Sequence, residues 1–401
     1  MRKASLGTLF LTVFLDLLGF GLVVPFLPGV ARGLGASDLG ATLIGASFSA
    51  MQFLFIPLWG SLSDRVGRRP VLLWSIAASA AGMALLGVAG SVTMLLLARI
   101  FSGVATANIA VAQAYIADVT TPERRARGMG LIGMAFGLGF ILGPFIGGEL
   151  GRFTIAGRPG ALAAFVAAGL SVVNLALAFF ALPESLPVER RAGGRRPLPL
   201  DPRAAAIARR TPGVALATAV GFSVVFWFSG MEQTFRLFTE DAFGYGVAAT
   251  GRVFGAVGIC AAIVQGGLIH RLTRRFGEVA VARAGSPIIG AGLALIALSA
   301  GAPRGQALMV LGSCLLAVGY GLVNPTLSSY VSRQARREEQ GAVLGVYQSI
   351  CALARVLGPA AGGVLYQFVG MRSPYAAGAA GMLVAFFLTM GLPSLPEAPP
   401  P

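Results

Sequence analysis

The sequence predicts an all-α membrane protein in which twelve transmembrane helices form two pseudo-symmetric six-helix bundles. Its composition, its long apolar runs and an internal repeat lead to this prediction. Of the 401 residues, 56% are hydrophobic and only 12% are charged, whereas soluble proteins carry about 25% charged residues. Because soluble domains, disordered chains and coiled coils all need more charge, the composition excludes these classes.

Apolar runs long enough to cross a bilayer follow one another along the sequence. A helix needs about 20 apolar residues to cross about 30 Å of hydrocarbon. Charge-free runs of that length cover residues 39–63, 70–98, 128–148, 159–183, 211–231, 284–303, 305–332 and 373–396. Four further runs contain only isolated charges and cover residues 6–28, 92–118, 247–270 and 341–367. We expect each run to form one membrane-spanning helix.

One long polar segment divides the chain. Residues 183–212 hold six prolines and seven arginines, which cannot form a membrane span. We therefore predict an N-terminal six-helix bundle over 1–182, a cytoplasmic linker over 183–212 and a C-terminal six-helix bundle over 213–401. We expect the linker to be a flexible tether that faces anionic lipids.

A sequence repeat supports this division. GLGFILGPFIGGEL at 137–150 recurs as LARVLGPAAGGVL at 353–365, and GSLSDRVGRRP at 60–70 recurs as GGLIHRLTRRFGE at 266–278. Echoes in the same order and at nearly the same offset indicate a duplicated six-helix unit. In this alignment His270 stands where the first half has Asp64.

The distribution of positive charge predicts the topology. A net charge of +15 would suggest nucleic-acid binding in a soluble domain. Here 21 of the 31 Lys and Arg residues fall in segments on the side of the N-terminus, against seven on the opposite side. This asymmetry predicts that both termini are cytoplasmic and that the protein lies in the plasma (inner) membrane. Its surroundings are then a lipid bilayer, and no nucleic acid is expected as a partner.

Asp16 lies in the middle of the first apolar run, where a carboxylate is costly unless it is protonated or paired. Thr8, Thr12 and Asp16 recur at helical spacing and form one polar stripe, which we expect to line a cavity. Burial favours the neutral form of a carboxyl group, so Asp16 is a candidate proton site. A cationic substrate would compete with that proton, which is the simplest antiport mechanism. The alternative is a structural hydrogen bond near Pro25.

Arg99 is the isolated charge of the fourth run. On a continuous helix, Thr106 and Gln113 lie within about 40° of its face. An unpaired arginine is costly inside a membrane, so we expect Asp16, a backbone carbonyl or water as its partner. A structural ion pair that orders the N-terminal half is the alternative to a functional role.

The second half contains further candidates for substrate binding. Glu232 and Arg236 are spaced i, i+4 in the seventh run, which is rich in aromatic residues. Such a surface suits a large apolar ligand that carries a charge. The alternative is a core or lipid-facing aromatic stripe with an interfacial Glu232–Arg236 salt bridge.

Two other runs of the second half carry polar stripes. In the tenth run we expect Pro325 to interrupt the stripe, as in the discontinuous helices that line transport sites. In the eleventh run, Arg355 has no acidic partner on its own helix. The substrate-binding candidates of both halves are Thr12, Thr106, Gln113, Phe226, Trp227, Glu232, Gln233, Arg236, Tyr320, Asn324, Gln348 and Arg355.

Four motifs resemble those of the major facilitator superfamily, and within it the twelve-helix drug:proton antiporters of the tetracycline-efflux type. DLLGFGLVVPFLP at 16–28 resembles the first-helix motif, and GSLSDRVGRRP resembles the loop motif between helices two and three. ARIFSGVATANIAVAQAYIADVT at 98–120 resembles the fourth-helix motif, and GLGFILGPFIGG at 137–148 resembles the antiporter motif of helix five. The resemblance covers the whole chain and implies a secondary transporter.

The resemblance implies roles for several of these residues. It implies a role in proton transfer for Arg99 and a cytoplasmic gate in the loop motif. The predicted gating residues are Gly60, Asp64, Arg65, Gly67, Arg68, Arg69 and Asp118. We expect Gly60 to permit a close helix contact, and we expect the antiporter-motif residues Gly139, Gly143, Pro144 and Gly147 to shape the contact between helix five and the other half.

The sequence departs from tetracycline pumps at two positions. Those pumps carry a histidine in helix eight and an aspartate in helix nine that take part in proton coupling, whereas Ala261 and Ile289 stand near these positions here. This difference argues against tetracycline as the substrate. It also predicts that proton coupling runs mainly through the N-terminal half.

The sequence therefore favours a proton-coupled exporter of a bulky amphipathic or drug-like compound, acting as a monomer without a cofactor or metal. A transporter of a small organic anion or metabolite that uses Arg99 and Arg355 is the first alternative. A membrane sensor or scaffold without transport is the second. We do not expect an enzyme, because His270 is the only histidine and no catalytic constellation accompanies it.

Overall fold

The computed structural model describes residues 6–106, 108–120, 122–191, 202–211, 213–335 and 339–393, and most of these are helical. Residues 192–201 and 212 of the predicted linker lie outside the described residues.

Helices and one short hairpin account for the first part of the described chain. The helices are α1 (Leu6–Val23), α2 (Leu27–Gly33), α3 (Asp38–Val66), α4 (Arg68–Val88), α5 (Val92–Ala105), α6 (Asn108–Val119), α7 (Pro122–Gly151) and α8 (Ala161–Ala181). Strands β1 (Thr154–Ile155) and β2 (Arg158–Pro159) form an antiparallel hairpin. Ala156 and Gly157 connect them with positive φ angles, as a type I′ turn requires. A 3-10 turn covers Val188–Arg190.

The second part of the described chain is helical as well. Its helices are α9 (Pro202–Arg210), α10 (Val214–Phe243), α11 (Val247–Ile263), α12 (Ile269–Ser299), α13 (Gly305–Gln334), α14 (Gln340–Phe368) and α15 (Ser373–Met390). A π-helical segment, Val264–Leu268, joins α11 to α12. Within α12, Gly277 has a φ of 79° and breaks the helix into two parts.

The length and composition of the helices agree with the predicted spans. Nine helical segments of the described residues are long and apolar enough to cross a membrane, and two shorter apolar helices cover Val92–Ala105 and Gly137–Gly151. The segment Val247–Ser299 has 53 residues, which at helical rise extend about 80 Å and suffice for two crossings. The predicted fold class, an all-α membrane protein with twelve spans, is confirmed.

Two helix boundaries differ from the predicted continuous spans. The first span is split into α1 and α2 by a turn around Pro25, whose ring cannot donate a ladder hydrogen bond and restricts the residue before it. The fourth span is split into α5 and α6, and Thr106 has an extended backbone with a ψ of 90°. The predicted break at Pro325 is wrong, because α13 continues through that residue.

Contacts between residues divide the chain into two compact units. Unit 1 comprises Met1–Pro199 and Gly244–Gly258, and unit 2 comprises Leu200–Phe243 and Ile259–Pro401. Two apolar clusters form the core of unit 1, one around Leu22 and Ala164 and one around Leu72 and Tyr115. A cluster around Val264 lies in unit 2. The predicted domain boundaries within 183–212 stay a prediction.

Candidate functional site

A left-handed glycine connects α3 to α4 at the end of unit 1 predicted to be cytoplasmic. Gly67 has a φ of 109°, a conformation that residues with a side chain rarely adopt. A Cβ atom at this position would also collide with the carboxylate of Glu184. Glycine therefore allows the chain to turn between two spans while the carboxylate of Glu184 approaches its backbone.

Arg68 is the centre of an ion cluster beside this turn. It is 8% exposed, and its Nη1 lies 2.6 Å from Oδ1 of Asp64 and donates a hydrogen bond to Ser63. Its Nε donates to Oδ2 of Asp118 at 3.1 Å. Three of the predicted gating residues therefore meet in one cluster, in which a buried cation is shared by two carboxylates.

The other predicted gating residues have different surroundings. The guanidinium of Arg69 lies 5.3 Å from the ring centroid of Phe179 and donates to the carbonyl oxygen of the same residue. Arg65 is exposed. No described atom lies within 4 Å of the position that a Cβ on Gly60 would occupy. The expectation that Gly60 permits a close helix contact is therefore wrong.

Glu184 completes the cluster and was not among the predicted residues. Its Oε1 accepts hydrogen bonds from the backbone N–H groups of Arg68, Ser185 and Leu186, and its Oε2 accepts one from Arg69. Since Arg68 and Arg69 are the first residues of α4, the carboxylate satisfies N–H groups that have no partner within the helix and lies at the positive end of the helix dipole.

Arg99 is buried between aromatic rings in unit 1. It is 3% exposed, and its guanidinium lies 4.2 Å from the ring centroid of Phe48 and 5.7 Å from that of Phe20. Within the described part of the chain, its Nε and Nη1 have no hydrogen-bond partner. Cation–π contacts with two rings therefore hold the guanidinium, while the expected partner, Asp16, a backbone carbonyl or water, stays a prediction.

Asp16 lies one helical turn before Phe20, whose ring contacts this arginine. It is half-buried on α1 and precedes Phe20 by four residues. Side chains at i and i+4 share one helix face at about 5–6 Å between their Cβ atoms. Because Arg99 packs over Phe20, the carboxyl group and the guanidinium lie in the same region of unit 1.

Three predicted substrate contacts of the N-terminal half are placed differently from the expectation. Thr12 is 1% exposed, and its carbonyl oxygen accepts a hydrogen bond from Asn174 of α8. It packs inside the bundle, so the expectation that Thr12 lines a cavity is wrong. Because the chain is extended at Thr106, Gln113 belongs to a separate helix, and the helical face shared by Arg99, Thr106 and Gln113 does not form.

The antiporter-motif glycines pack mainly against α1. A Cβ on Gly139 or Gly143 would come within about 3 Å of the α1 backbone, and one on Gly147 would collide with Leu22. Pro144 lies inside α7, and its Cδ also faces α1 at Gly21. These residues therefore permit close packing of helices. Their main partner is the first helix, while the carbonyl oxygen of Pro144 also faces Gly251 of α11, which lies within the predicted C-terminal half.

The end of α7 also contacts the first part of α11, which belongs to unit 1. Cβ atoms on Gly148 and Gly251 would each lie 2.7 Å from the Cα of the other residue. At the next residues, Arg252 Nε donates to Oε1 of Glu149 at 2.8 Å. This contact combines close glycine packing with an ion pair whose arginine is 63% exposed.

In unit 2, Arg236 does not pair with Glu232. Its Nη1 lies 3.1 Å from Oε2 of Glu240, one turn further along α10, and its side chain is 6% exposed. The alternative interpretation of a Glu232–Arg236 salt bridge is therefore wrong. Arg236 packs inside unit 2 with a carboxylate of its own helix.

Aromatic rings of α10 lie beside the remaining candidates. Phe226 packs edge-on against Trp227 with 4.9 Å between the ring centroids. Phe228 stacks on Tyr320 of α13 with 4.0 Å between centroids and an interplanar angle of 22°. Glu232 follows Phe228 by one helical turn.

Arg355 of α14 faces the same cluster. It interacts electrostatically with Glu232 and with Tyr320, so α10, α13 and α14 each contribute a residue. Arg355 and Gln348 are exposed, while Glu232, Gln233, Tyr320 and Asn324 are half-buried. The structure thus brings Glu232, Tyr320 and Arg355 together, and sequence spacing alone did not predict this.

Equivalent contacts recur in the two halves. Tyr115 donates a hydrogen bond to the carbonyl of Pro183 at 2.9 Å, and Tyr330 donates to that of Pro393 at 3.0 Å. Both contacts tie an even-numbered span to the end of the last span of its half, which supports the duplicated unit.

A glycine turn with a positive φ angle also recurs in the second half, and the signs of the paired charges beside it are reversed. Gly277 has a φ of 79° and corresponds to the left-handed Gly67. The residue after Gly277 is Glu278, which forms an ion pair with Arg333 at 2.7 Å. On this alignment the counterpart of Asp64 is Arg274, which corrects the sequence alignment that placed His270 there.

Long apolar helices in a duplicated arrangement, with charged clusters at helix ends and isolated ionisable residues within spans, define a multi-pass membrane transporter. The chain belongs to the Major Facilitator Superfamily, because the sequence model of that family matches residues 9–359. The resemblance stated from the four motifs is therefore confirmed.

Relatives of known name cover most of the chain. Human major facilitator superfamily domain-containing protein 10 is 32% identical over 98% of this chain and 93% of its own length. The class C tetracycline resistance protein of Escherichia coli is 35% identical over 87% of this chain and 86% of its own. The crystal structure of the human organic anion transporter MFSD10 (TETRAN) has a TM-score of 0.72 at 29% identity and covers 96% of this chain and 98% of the other.

Proposed function

We propose that the chain is a proton-coupled secondary active exporter of a bulky amphipathic compound and that it works by alternating access. The main support for this proposal is the group formed by Asp16, Phe20 and Arg99 in unit 1. It combines a half-buried carboxyl group with an arginine that is held by rings and has two nitrogen atoms without hydrogen-bond partners in the described chain.

This arrangement suits proton exchange. Ionisable groups within a span are costly and are kept where they serve a transport pathway or a proton relay. Because ring stacking fixes Arg99 without consuming all its hydrogen bonds, the guanidinium can stabilise the ionised form of a nearby carboxyl group when the proton leaves. A substrate that binds near Asp16 would then compete with the proton, which couples the two fluxes in opposite directions.

The Arg68 cluster is the gate of this proposal. Arg68 is shared by Asp64 and Asp118, and Glu184 binds the start of α4. Charge-assisted hydrogen bonds of this kind stabilise one arrangement of helices and can be exchanged when helices separate. The proposal also places this cluster, both termini and the segment 183–212 on the cytoplasmic side of the plasma membrane.

Transport by the purified full-length protein in proteoliposomes tests the function. A pH gradient is imposed, and uptake of lipophilic cations, neutral drugs and organic anions is measured. We expect gradient-driven movement of at least one amphipathic compound, and we expect Asp16→Asn to abolish the drive. Asp38→Asn, which alters a carboxylate paired with Arg32 at 2.6 Å, is the control. Full gradient-driven transport by Asp16→Asn would contradict the proposal.

A second candidate is a transporter of a small organic anion or metabolite. An exposed arginine within a span, Arg355, favours it, and one protein of similar structure, human MFSD10, is described as an organic anion transporter. In the same assay, movement of small anions alone, together with its loss in Arg355→Ala, would support this candidate over the first.

A further inference from the structure

We propose that unit 2 contains a binding site for zwitterionic aromatic compounds, in which Arg355 binds the anionic group, Glu232 binds the cationic group and the Phe228–Tyr320 ring pair contacts the aromatic part. This inference rests on the proposed export of amphipathic compounds and names the class of substrate. It concerns binding at equilibrium and not the proton coupling assigned to unit 1.

The charges of this site are opposite and close, yet they are not in contact. The two helices meet at this level, because Ser229, three residues before Glu232, donates a hydrogen bond to the carbonyl oxygen of Ala354, the neighbour of Arg355, at 3.3 Å. Glu232 and Arg355 are near enough to interact electrostatically. Neither side chain has a hydrogen bond or an ion pair in the described part of the chain. Opposite charges that do not satisfy each other can each bind a complementary group of a ligand, and each such charge-assisted contact would be strong.

The exposed side chain of Arg355 lies on a polar face of α14. Arg355 is exposed near the middle of α14, while its neighbour Ala354 is 0% exposed and Cys351 is 5% exposed. Tyr320 interacts with Arg355, Cys351 and Glu232. The guanidinium is therefore on a face of α14 that other polar groups of unit 2 share, and a charge within a span is tolerated where it lines such a cavity.

Aromatic rings adjoin the charges. Phe228 precedes Glu232 by four residues, so the ring and the carboxylate share one face of α10. The stacked rings of Phe228 and Tyr320, with 4.0 Å between centroids, connect that face to α13. Apolar walls with a few polar groups at defined positions are typical of small-molecule sites.

The charge balance selects the ligand class. With Glu232 ionised and Arg355 protonated, the pair has no net charge. A compound with only a cationic group binds Glu232 but is repelled by Arg355. A compound with only an anionic group binds Arg355 but is repelled by Glu232. A zwitterion satisfies both groups, so it binds without leaving a partly buried charge uncompensated.

Equilibrium binding of one fluorescent scaffold in three charge states tests the proposal. The probes are Nε-dansyl-lysine, its decarboxylated analogue dansylcadaverine and its Nα-acetyl derivative, which are zwitterion, cation and anion at neutral pH. Dansyl fluorescence is titrated with purified full-length protein in detergent. We expect the zwitterion to bind about tenfold more tightly than either derivative. Equal affinities, or tighter binding of the anion or the cation, would overturn the proposal.

Matched variants assign each charge. Glu232→Gln should remove the preference for the zwitterion over the anion, and Arg355→Gln should remove its preference over dansylcadaverine. The exposed Glu189→Gln and Arg271→Gln serve as controls and should bind as the wild type does. If both site variants keep the wild-type order of affinities, the two residues do not form the site and the proposal is wrong.

The experiment separates this proposal from the proposed function. No gradient is present, so a failure of proton-driven transport leaves the order of affinities unchanged. Conversely, a protein that exports lipophilic cations under a pH gradient and binds all three probes equally would retain the proposed function and refute the zwitterion site.

Discussion

Replacement of Glu184 by alanine should destabilise unit 1 more than any surface carboxylate can. The carboxylate accepts four backbone hydrogen bonds, at 2.8 Å from Arg68 and at 3.0, 3.0 and 3.2 Å from Ser185, Leu186 and Arg69. Two of the donors are the first N–H groups of α4, and loss of such a cap costs about 1 kcal/mol.

The other two donors belong to the turn after α8 and add about 1–2 kcal/mol when they lose their acceptor. The side chain of Glu184 is 27% exposed, so water replaces part of these bonds, and the ion pair with Arg191 at 3.9 Å adds little. We therefore expect Glu184→Ala to lower the free energy of unfolding by up to about 2–3 kcal/mol. Glu184→Gln, which keeps one acceptor oxygen, should lose about half of that.

Denaturant unfolding in mixed micelles, followed by tryptophan fluorescence, measures this change. Glu189→Ala is the matched control, because Glu189 is exposed on the same segment and should change the free energy by no more than about 0.5 kcal/mol. A Glu184→Ala variant as stable as this control would refute the assignment of Glu184 as the cap of α4.

Three further predictions concern Gly67, Arg99 and Glu149. Gly67→Ala should destabilise by about 1–3 kcal/mol in the same unfolding assay, because of its positive φ and the collision with Glu184; wild-type stability would contradict this. Arg99→Lys should reduce gradient-driven transport at least about tenfold, because lysine lacks the planar group that stacks on two rings; an unchanged initial rate would disprove it. Glu149→Gln should have little effect on stability at high salt, because Arg252 is largely exposed, and a large loss there would indicate a structural role.

The fold could be predicted from the sequence because each span is recognisable by its own length and apolar composition. Two features could not be predicted in this way. The interruption at Thr106 depends on backbone torsions that apolar content does not report. The continuity of α13 through Pro325 shows the converse, because a proline within a span is tolerated where the surrounding structure compensates for its missing donor.

The candidate site was predictable only within single motifs. Asp64 and Arg68 belong to one short motif and lie four residues apart, so their contact could be expected although the turn at Gly67 separates their helices. Glu184 lies 116 residues from Arg68, and no local pattern relates the two. The partner of Arg236 could not be predicted from spacing, because Glu232 and Glu240 are equally distant from it along the helix. Packing selects Glu240 as the partner.

Competition between substrate and proton at Asp16 is tested by measuring proton release on substrate binding. The best-transported compound of the proteoliposome panel is added to purified protein in weakly buffered detergent solution, and the pH change is recorded. We expect the wild type to release protons and Asp16→Asn, at saturating compound, to release none. Binding without proton release in the wild type, or equal release by Asp16→Asn, would contradict competition between substrate and proton at Asp16.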